Sequence, residues 1–320
     1  MTRFLLSLLS ATALVGCADA SEPSAAETPQ AFDMATTMPA TTGETTGIID
    51  PAILAENAAY AAPDSAWRTV DPDNLMVVDT SYGRMMIELF PELAPAHVER
   101  IQSLSKSGFY DGIVFHRVID GFMNQTGDPT GTGTGDSGLP DLPGEFAFRR
   151  GNDMPVALVG TMTTPAGSMA TGFYKGLPIA TKPSSQAILT KDGKVEAYGL
   201  HCNGVTSMAR TGDPNSANSQ FFLMRDAAPH LDAQYSVWGR VVSGLPVTQA
   251  IRLTEVNGQP VADLTPDKMD KVQLASQLDD VPTVQVLDTQ SKAFQAFLET
   301  QKTNGAYPAI CDIEVPSRMK

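Results

Sequence analysis

"FHRVIDGFMNQTGDP", residues 115–129, gathers one arginine, two phenylalanines, a methionine and a glutamine around a single tight turn. A segment built to break bonds would carry a nucleophile, a paired acid and base, or clustered metal ligands. This one offers an always-charged, planar donor beside an apolar surface and little else. The surrounding chain has 320 residues with a formal net charge of −14, 42% hydrophobic and 18% charged residues. It can bury a substantial core. Its acidic balance argues against a nucleic-acid surface, which needs clustered Lys and Arg. Three cysteines are too few for a disulfide scaffold.

Outward from the opening stretch, "GIVFHRVI" reads as a strand and "GDPTGTGTGDSG" as a long glycine loop. Upstream, "LMVVDT" and "RMMIELF" are apolar strands joined through Ser81-Tyr82-Gly83, a hairpin signal. "APAHVERIQSLSKSG" places Val98, Ile101 and Leu104 on one helical face and closes at Gly108. Downstream, "SQFFLM" and "YSVWGRVV" are further short strands. Many short strands, few helices and frequent turn signals predict a mainly β protein: a closed antiparallel barrel with flanking helices.

Two regions read as additions to that barrel, an insertion at about 144–203 and a C-terminal extension, 246–320. The insertion holds strand-like pieces ("LPIATK", "QAILTKDGKVEAYGL") around a hairpin signal at Asp192-Gly193, and no large apolar surface. In the extension, Phe294, Phe297 and Leu298 mark an amphipathic helix, capped by Asp288 or Thr289 and stopped at Gly305.

The first residues, "MTRFLLSLLSATALVGCADA", have the form of an export signal, with Arg3 before an apolar run. About 12 apolar residues fall short of the roughly 20 that span a bilayer. The run ends in Leu14-Val15-Gly16-Cys17, which resembles a bacterial lipobox and implies diacylation of Cys17. Between Arg3 and Arg68 there is no Lys or Arg and there are eight acidic residues. Residues 18–73 therefore read as a disordered acidic tether, and 74–245 as the folded domain with its insertion. Asp50-Pro51 has the form of a helix start running to Ala59.

The opening stretch, "SMARTGDPNSANSQFFLM" and "LDAQYSVWGRVVSG" together resemble the cyclophilin-type peptidyl-prolyl cis-trans isomerases. The blocks occur in that family's order and cover roughly a third of the chain, about 74–135 and 205–245. The resemblance implies chemistry that fits the opening stretch. Rotation about an X-Pro bond meets a barrier of about 18–20 kcal/mol from amide resonance, yet no bond is cleaved. A guanidinium that donates a hydrogen bond to the pyramidalising nitrogen stabilises the twisted amide. The resemblance assigns that part to Arg117, with Phe122 and Gln125 beside it as catalytic residues. Phe122, Met123, Phe222 and Leu231 form the walls for the proline ring, and Gln125 steers the carbonyl before proline. Ala209, Arg210 and Thr211 form an edge that pairs with substrate backbone, with Gln220 adjacent and His230 and Tyr235 on the rim. Many members have tryptophan where His230 stands, histidine at Tyr235, proline at Asp120 and glycine at Thr126. These departures put the rim in question and leave the arginine and ring pocket in place.

The implied partners are proline-containing polypeptide clients, with no nucleic acid, no cofactor and no metal. The protein is expected as a monomer held to a membrane by its lipid, in the bacterial cell envelope and facing the periplasm. Ala18, rather than aspartate, after Cys17 favours the outer membrane. A cyclophilin-like module that binds proline peptides, or a chaperone, without essential turnover is the alternative. Lipidation of Cys17 leaves Cys202 and Cys311 as an even pair in an exported protein, where a disulfide between them is expected.

Three other features point elsewhere and are weaker. "GTGTGDSG" lacks the Lys-Ser/Thr ending and following helix of a phosphate loop. His201-Cys202 has no ligand or nucleophile spacing around it. His116, beside Arg117 on a strand, should face the opposite side and pack into the barrel.

Overall fold

The computed structural model describes residues 60–165, 167–280 and 283–320. Cys17 with its signal, the tether as far as residue 59 and the helix expected after Asp50-Pro51 lie outside them. Order is already present before Leu75, contrary to a tether reaching residue 73: β1 (Trp67–Thr69) is a strand. At three residues it is too short to show a period.

β2 (Leu75–Thr80) and β3 (Gly83–Leu89) form the expected hairpin, paired from Leu75↔Glu88 to Thr80↔Gly83. α1 (Pro95–Lys106) starts on a proline and buries Val98, Ile101 and Leu104. It gives way at Gly108, whose φ of +74° is in the left-handed region that favours glycine. β4 (Arg117–Ile119) and β5 (Met123–Thr126) follow as a second hairpin. The strand read at "GIVFHRVI" is thus regular only from Arg117.

The insertion is a five-stranded sheet of its own, ordered β6-β10-β9-β8-β7. Its strands are β6 (Phe148–Arg150), β7 (Ala157–Thr164), β8 (Gly167–Tyr174), β9 (Leu177–Thr181) and β10 (Val195–Gly199). Asp192-Gly193 falls in the long connection, residues 182–194, between the antiparallel neighbours β9 and β10, and not in a tight turn between directly flanking strands. Residues Ser184–Leu189 before it form an exposed 3₁₀ turn, and β10 pairs with both β6 and β9. The long hairpin is β7–β8, whose Thr- and Gly-rich strands carry little apolar alternation.

β11 (Val205–Met208), β12 (Phe221–Met224) and β13 (Val237–Ser243) complete the barrel wall, followed by the short α2 (Leu245–Ala250). The barrel does not end at residue 245, as the sequence reading had it. β14 (Glu255–Val256), β15 (Gln259–Pro260) and β16 (Lys271–Leu274) join a ten-stranded sheet ordered β15-β14-β4-β5-β12-β11-β13-β3-β2-β16. The ladder is not continuous around the barrel. At the seam, residues 112–115 meet 267–269 through one bridge, Val114↔Lys268. Gly112 and Phe115 donate to the Met269 and Asp267 carbonyls, both at 2.7 Å.

Strand alternation sorts the apolar residues into layers. Phe115, Val118, Phe221, Leu223 and Trp238 fill the barrel interior with Val98 and Ile101 of α1. Their neighbours Met123, Phe222 and Met224 face outward, into a second core against Leu177, Ile179 and Tyr198 of the insertion. β17 (Val284–Leu287) lies between β1 and β18 (Ser317–Met319) in a three-stranded sheet. α3 (Lys292–Gln301) buries Phe294, Phe297 and Leu298 in a third core with Trp67 and Val286. Its cap is Ser291, whose hydroxyl accepts from the Phe294 amide, rather than Asp288 or Thr289. A disulfide joins Cys202 to Cys311, with Cα atoms 4.9 Å apart. Among the described residues, no helix is long and apolar enough to cross a membrane.

Candidate functional site

Cross-strand register assembles the site. Arg117 of β4 lies opposite Gln125 of β5, Gln125 opposite Phe222 of β12, and Phe222 opposite Ser207 of β11. Directly paired residues share a face, so an arginine, an amide, an aromatic ring and a hydroxyl form one row across four strands. Met123, two residues before Gln125, shares that face. The odd neighbours Asn124 and Val118 are buried toward the barrel interior.

The first three members of that row floor a cavity of about 150 Å³ lined by Arg117, Phe122, Met123, Gln125, Ala209, Arg210, Phe222, Leu231 and Tyr235. Nine of the twelve residues named from sequence as catalytic or substrate-binding therefore line one pocket. Thr211 and Gln220 line an adjoining cavity of about 340 Å³ instead. His230 stacks on Phe122, with ring centroids 5.8 Å apart, and supports the pocket from its rim. The edge read for substrate pairing is partly committed: the Ala209 amide donates to the Gln220 carbonyl and the Thr211 amide to Ser216 Oγ, both at 2.9 Å.

The apolar and polar halves of the pocket are held separately. Phe222 meets Tyr235 edge-on at 5.6 Å, and the Arg210 guanidinium stacks 4.5 Å above the Tyr235 ring. Arg210 also donates to the Gln234 carbonyl, fixing the rim. On the polar side, Gln125 Nε2 donates to Gln220 Oε1 at 3.0 Å, and Gln220 Nε2 donates to the carbonyls of Gly133 and Gly135. The glycine loop thus anchors the amide pair beside Arg117.

The loop is built around one carboxylate. Buried Asp128 accepts from the amides of Thr130, Thr132 and Gly133 at 2.7, 3.0 and 2.6 Å, and from the Thr130 hydroxyl at 2.8 Å. Burial alone would raise its pKa, but hydrogen bonds from Thr130 and the loop amides outweigh it and hold the group well below the usual carboxylate range. Its folded pKa is below the unfolded value of about 3.9, so the carboxylate stabilises the fold above about pH 4 and loses that contribution as pH falls through the depressed value. Asp128→Asn is expected to cost roughly 2 kcal/mol at neutral pH, the scale of hydrogen bonds to a charged group. It should also flatten the loss of stability on acidification. Thermal unfolding of both proteins between pH 3 and 7 measures this, and parallel curves would contradict it. His116 packs beneath the same loop, both ring nitrogens buried without a hydrogen-bond partner, and burial pushes its pKa down.

Several supporting residues escaped the sequence reading. Glu255 of β14 reaches within 3.9 Å of Arg117 Nε, delivered by the parallel pairing of β14 with β4. Arg225, largely buried, donates to Asn124 Oδ1 and to the carbonyls of Thr248, Gln249 and Ile251. Asp120, at the turn of the β4–β5 hairpin, lies 3.6 Å from the same guanidinium. Behind Phe222, His201 stacks on the ring at 6.0 Å; its Nδ1 faces Asp232 Oδ1 and its Nε2 faces Ser207 Oγ, each at 2.9 Å. The serine is fully buried, so these three residues brace the pocket wall and do not present a nucleophile. No motif spacing in the sequence links them.

With this geometry in place, the comparisons with known proteins agree in kind. Residues 75–274 match the family described as cyclophilin type peptidyl-prolyl cis-trans isomerase/CLD. A probable peptidyl-prolyl cis-trans isomerase of Brucella suis is 35% identical over 193 residues, 57% of this chain and 73% of the relative. The isomerase ppi1 of Schizosaccharomyces pombe is 32% identical over 190 residues, 58% of this chain and 92% of its own. The crystal structure of cyclophilin AquaCyp293 from Hirschia baltica is similar with a TM-score of 0.69 at 38% identity. That likeness covers 82% of this chain and 98% of the other, more than the family match alone spans.

Proposed function

The chain belongs to the cyclophilin-type family and is a peptidyl-prolyl cis-trans isomerase; on that footing we propose that Arg117 stabilises the twisted amide of X-Pro bonds in envelope polypeptides. The observation that carries this reading is the single pocket that brings Arg117, Phe122, Met123, Gln125, Phe222 and Leu231 together. The apolar side chains hold the proline ring and exclude water. The guanidinium sits over the Phe122 ring, 5.9 Å from its centroid, at the pocket's polar edge. A hydrogen bond donated there to the proline nitrogen is strongest when the lone pair localises, so it favours the twisted state over both planar ones. Gln125 orients the preceding carbonyl. A coupled proline-isomerisation assay on the chain from Ser21 onward tests the activity. Acceleration over uncatalysed exchange is expected, and a rate equal to the uncatalysed one would leave only a binding module.

Placement in the envelope rests on Cys17 as a lipidated residue at the end of the export signal. The protein from its natural host should partition with membranes after cell breakage, and Cys17→Ser should release it. Two acyl chains are needed for stable attachment, because one gives only marginal binding. A mature N-terminus at any other residue, found by mass spectrometry, would refute the anchor.

A further inference from the structure

Among the described residues, two adjacent large apolar side chains stand almost wholly in water. Ile188 and Leu189 are 88% and 83% exposed, whereas the other exposed large apolar residues range from 38% to 59%. Both close the 3₁₀ turn Ser184–Leu189, in the connection between β9 and β10. Side chains with that much surface in solvent form a convex tip. Neither lines the proline pocket, the cavity beside it or the two cavities at the C-terminal tail.

Hydrogen bonds hold the tip in this form. The Thr190 amide donates to the Ala187 carbonyl at 3.1 Å, and the Thr190 hydroxyl is 2.9 Å from the Lys194 carbonyl. At the start of the turn, Ser184 Oγ accepts from buried Arg150 of β6 at 2.9 Å. Beyond it, Arg149 of β6 pairs with Asp192 at 2.7 Å. A braced connection therefore presents the aliphatic pair, where a free one could fold it inward.

The charge around the pair has one sign. Lys182, Lys191 and Lys194 fall in the same connection, and its only carboxylate, on Asp192, is taken up by Arg149. Positive charge thus flanks the tip in a chain whose formal net charge is −14. A folded partner would need a recess shaped to receive two projecting side chains. A bilayer needs none, takes aliphatic groups below its headgroups and, when anionic, attracts flanking lysines.

We propose that the 182–194 connection is a lipid-contacting tip, which inserts Ile188 and Leu189 into an anionic membrane surface while its lysines meet lipid phosphates. This contact depends neither on isomerisation nor on an acyl chain at Cys17. Beside such a chain it would be a second point of attachment and would set which face of the domain turns to the membrane.

The test uses the mature chain with Cys17→Ser, so that no acyl chain contributes. Leu189→Trp reports insertion, because Trp67 and Trp238 are buried and the parent protein supplies their background. Its emission should shift to shorter wavelength, and be quenched by brominated acyl chains, on phosphatidylglycerol-containing vesicles but not on phosphatidylcholine alone. In sedimentation with the anionic vesicles, replacing Ile188 and Leu189 together by serine should weaken binding by about tenfold or more, from the lost burial of two aliphatic side chains. Lys191→Glu with Lys194→Glu should remove the preference for anionic lipid. Every variant should keep wild-type isomerase activity on a short proline peptide, which separates failure of the tip from failure of the proline pocket. Undiminished binding by the double-serine variant, or no emission shift on anionic vesicles, would overturn the proposal. So would self-association of the parent protein that the double-serine change abolishes, which would assign the tip to a second copy of the chain.

Discussion

Replacing Arg117 by alanine is expected to lower isomerase kcat/KM by about 10²–10³, the loss seen when one preorganised donor to a transition-state charge is removed, about 2.7–4 kcal/mol. The loss should fall on kcat. Phe122, Met123, Phe222 and Leu231 stay to hold the proline ring, and an interaction made only in the twisted state does not contribute to ground-state binding. Arg117→Lys should recover little, because a point ammonium lacks the planar fork that aims its donors. The side chain is about half exposed and its nearest carboxylate, on Glu255, is 3.9 Å away. Its removal therefore leaves no buried charge unpaired, and the fold should be unaffected. Unchanged turnover in a folded Arg117→Ala protein would reassign the chemistry to another residue.

Opening the Cys202–Cys311 bond should have the largest effect on stability. The two residues are 109 apart in sequence, and chain entropy assigns a loop of that length about 4–5 kcal/mol, an upper figure. The bond fastens the tail beside Ile310 and Ile313, which pack in the second and third cores. Replacing both cysteines by alanine should therefore lower Tm by roughly 10 °C, given about 2–4 °C per kcal/mol for a domain of this size. Neither sulfur lines the proline pocket, so activity at room temperature should persist. A Tm that responds neither to the double substitution nor to reductant would show that the tail is held by packing alone.

The catalytic half of the barrel is legible because its site residues fall in contiguous blocks that carry the family resemblance, although β4, β5, β11 and β12 are only three or four residues long. Arg117, Phe122, Met123 and Gln125 sit on a single hairpin, and alternation alone puts three of them on one face. What was missed lay in short or polar elements. β1, β14 and β16 are three, two and four residues long, below the length at which periodicity separates strand from loop. The sequence pattern therefore shows neither the continuation of the barrel past residue 245 nor Glu255 beside Arg117. β7 and β8 are rich in Thr and Gly, so the longest hairpin of the insertion leaves a weaker pattern in the sequence than the turn signal at Asp192-Gly193. Ser207, His201 and Asp232 come together only through register and loop packing, which no local pattern encodes.

Magnetisation-exchange NMR on a short alanine–proline peptide tests the central claim most directly, because it needs no coupled protease. Uncatalysed interconversion takes tens to hundreds of seconds and gives no exchange cross-peaks. With the wild-type chain at about one hundredth of the peptide concentration, cis–trans exchange peaks should appear, because one pocket serves many peptides in turn when only a twisted amide is stabilised. With Arg117→Ala they should be absent even at protein concentrations where the resonances of Phe122 and Met123 report bound peptide. Exchange as fast with the alanine variant as with wild type would contradict the account.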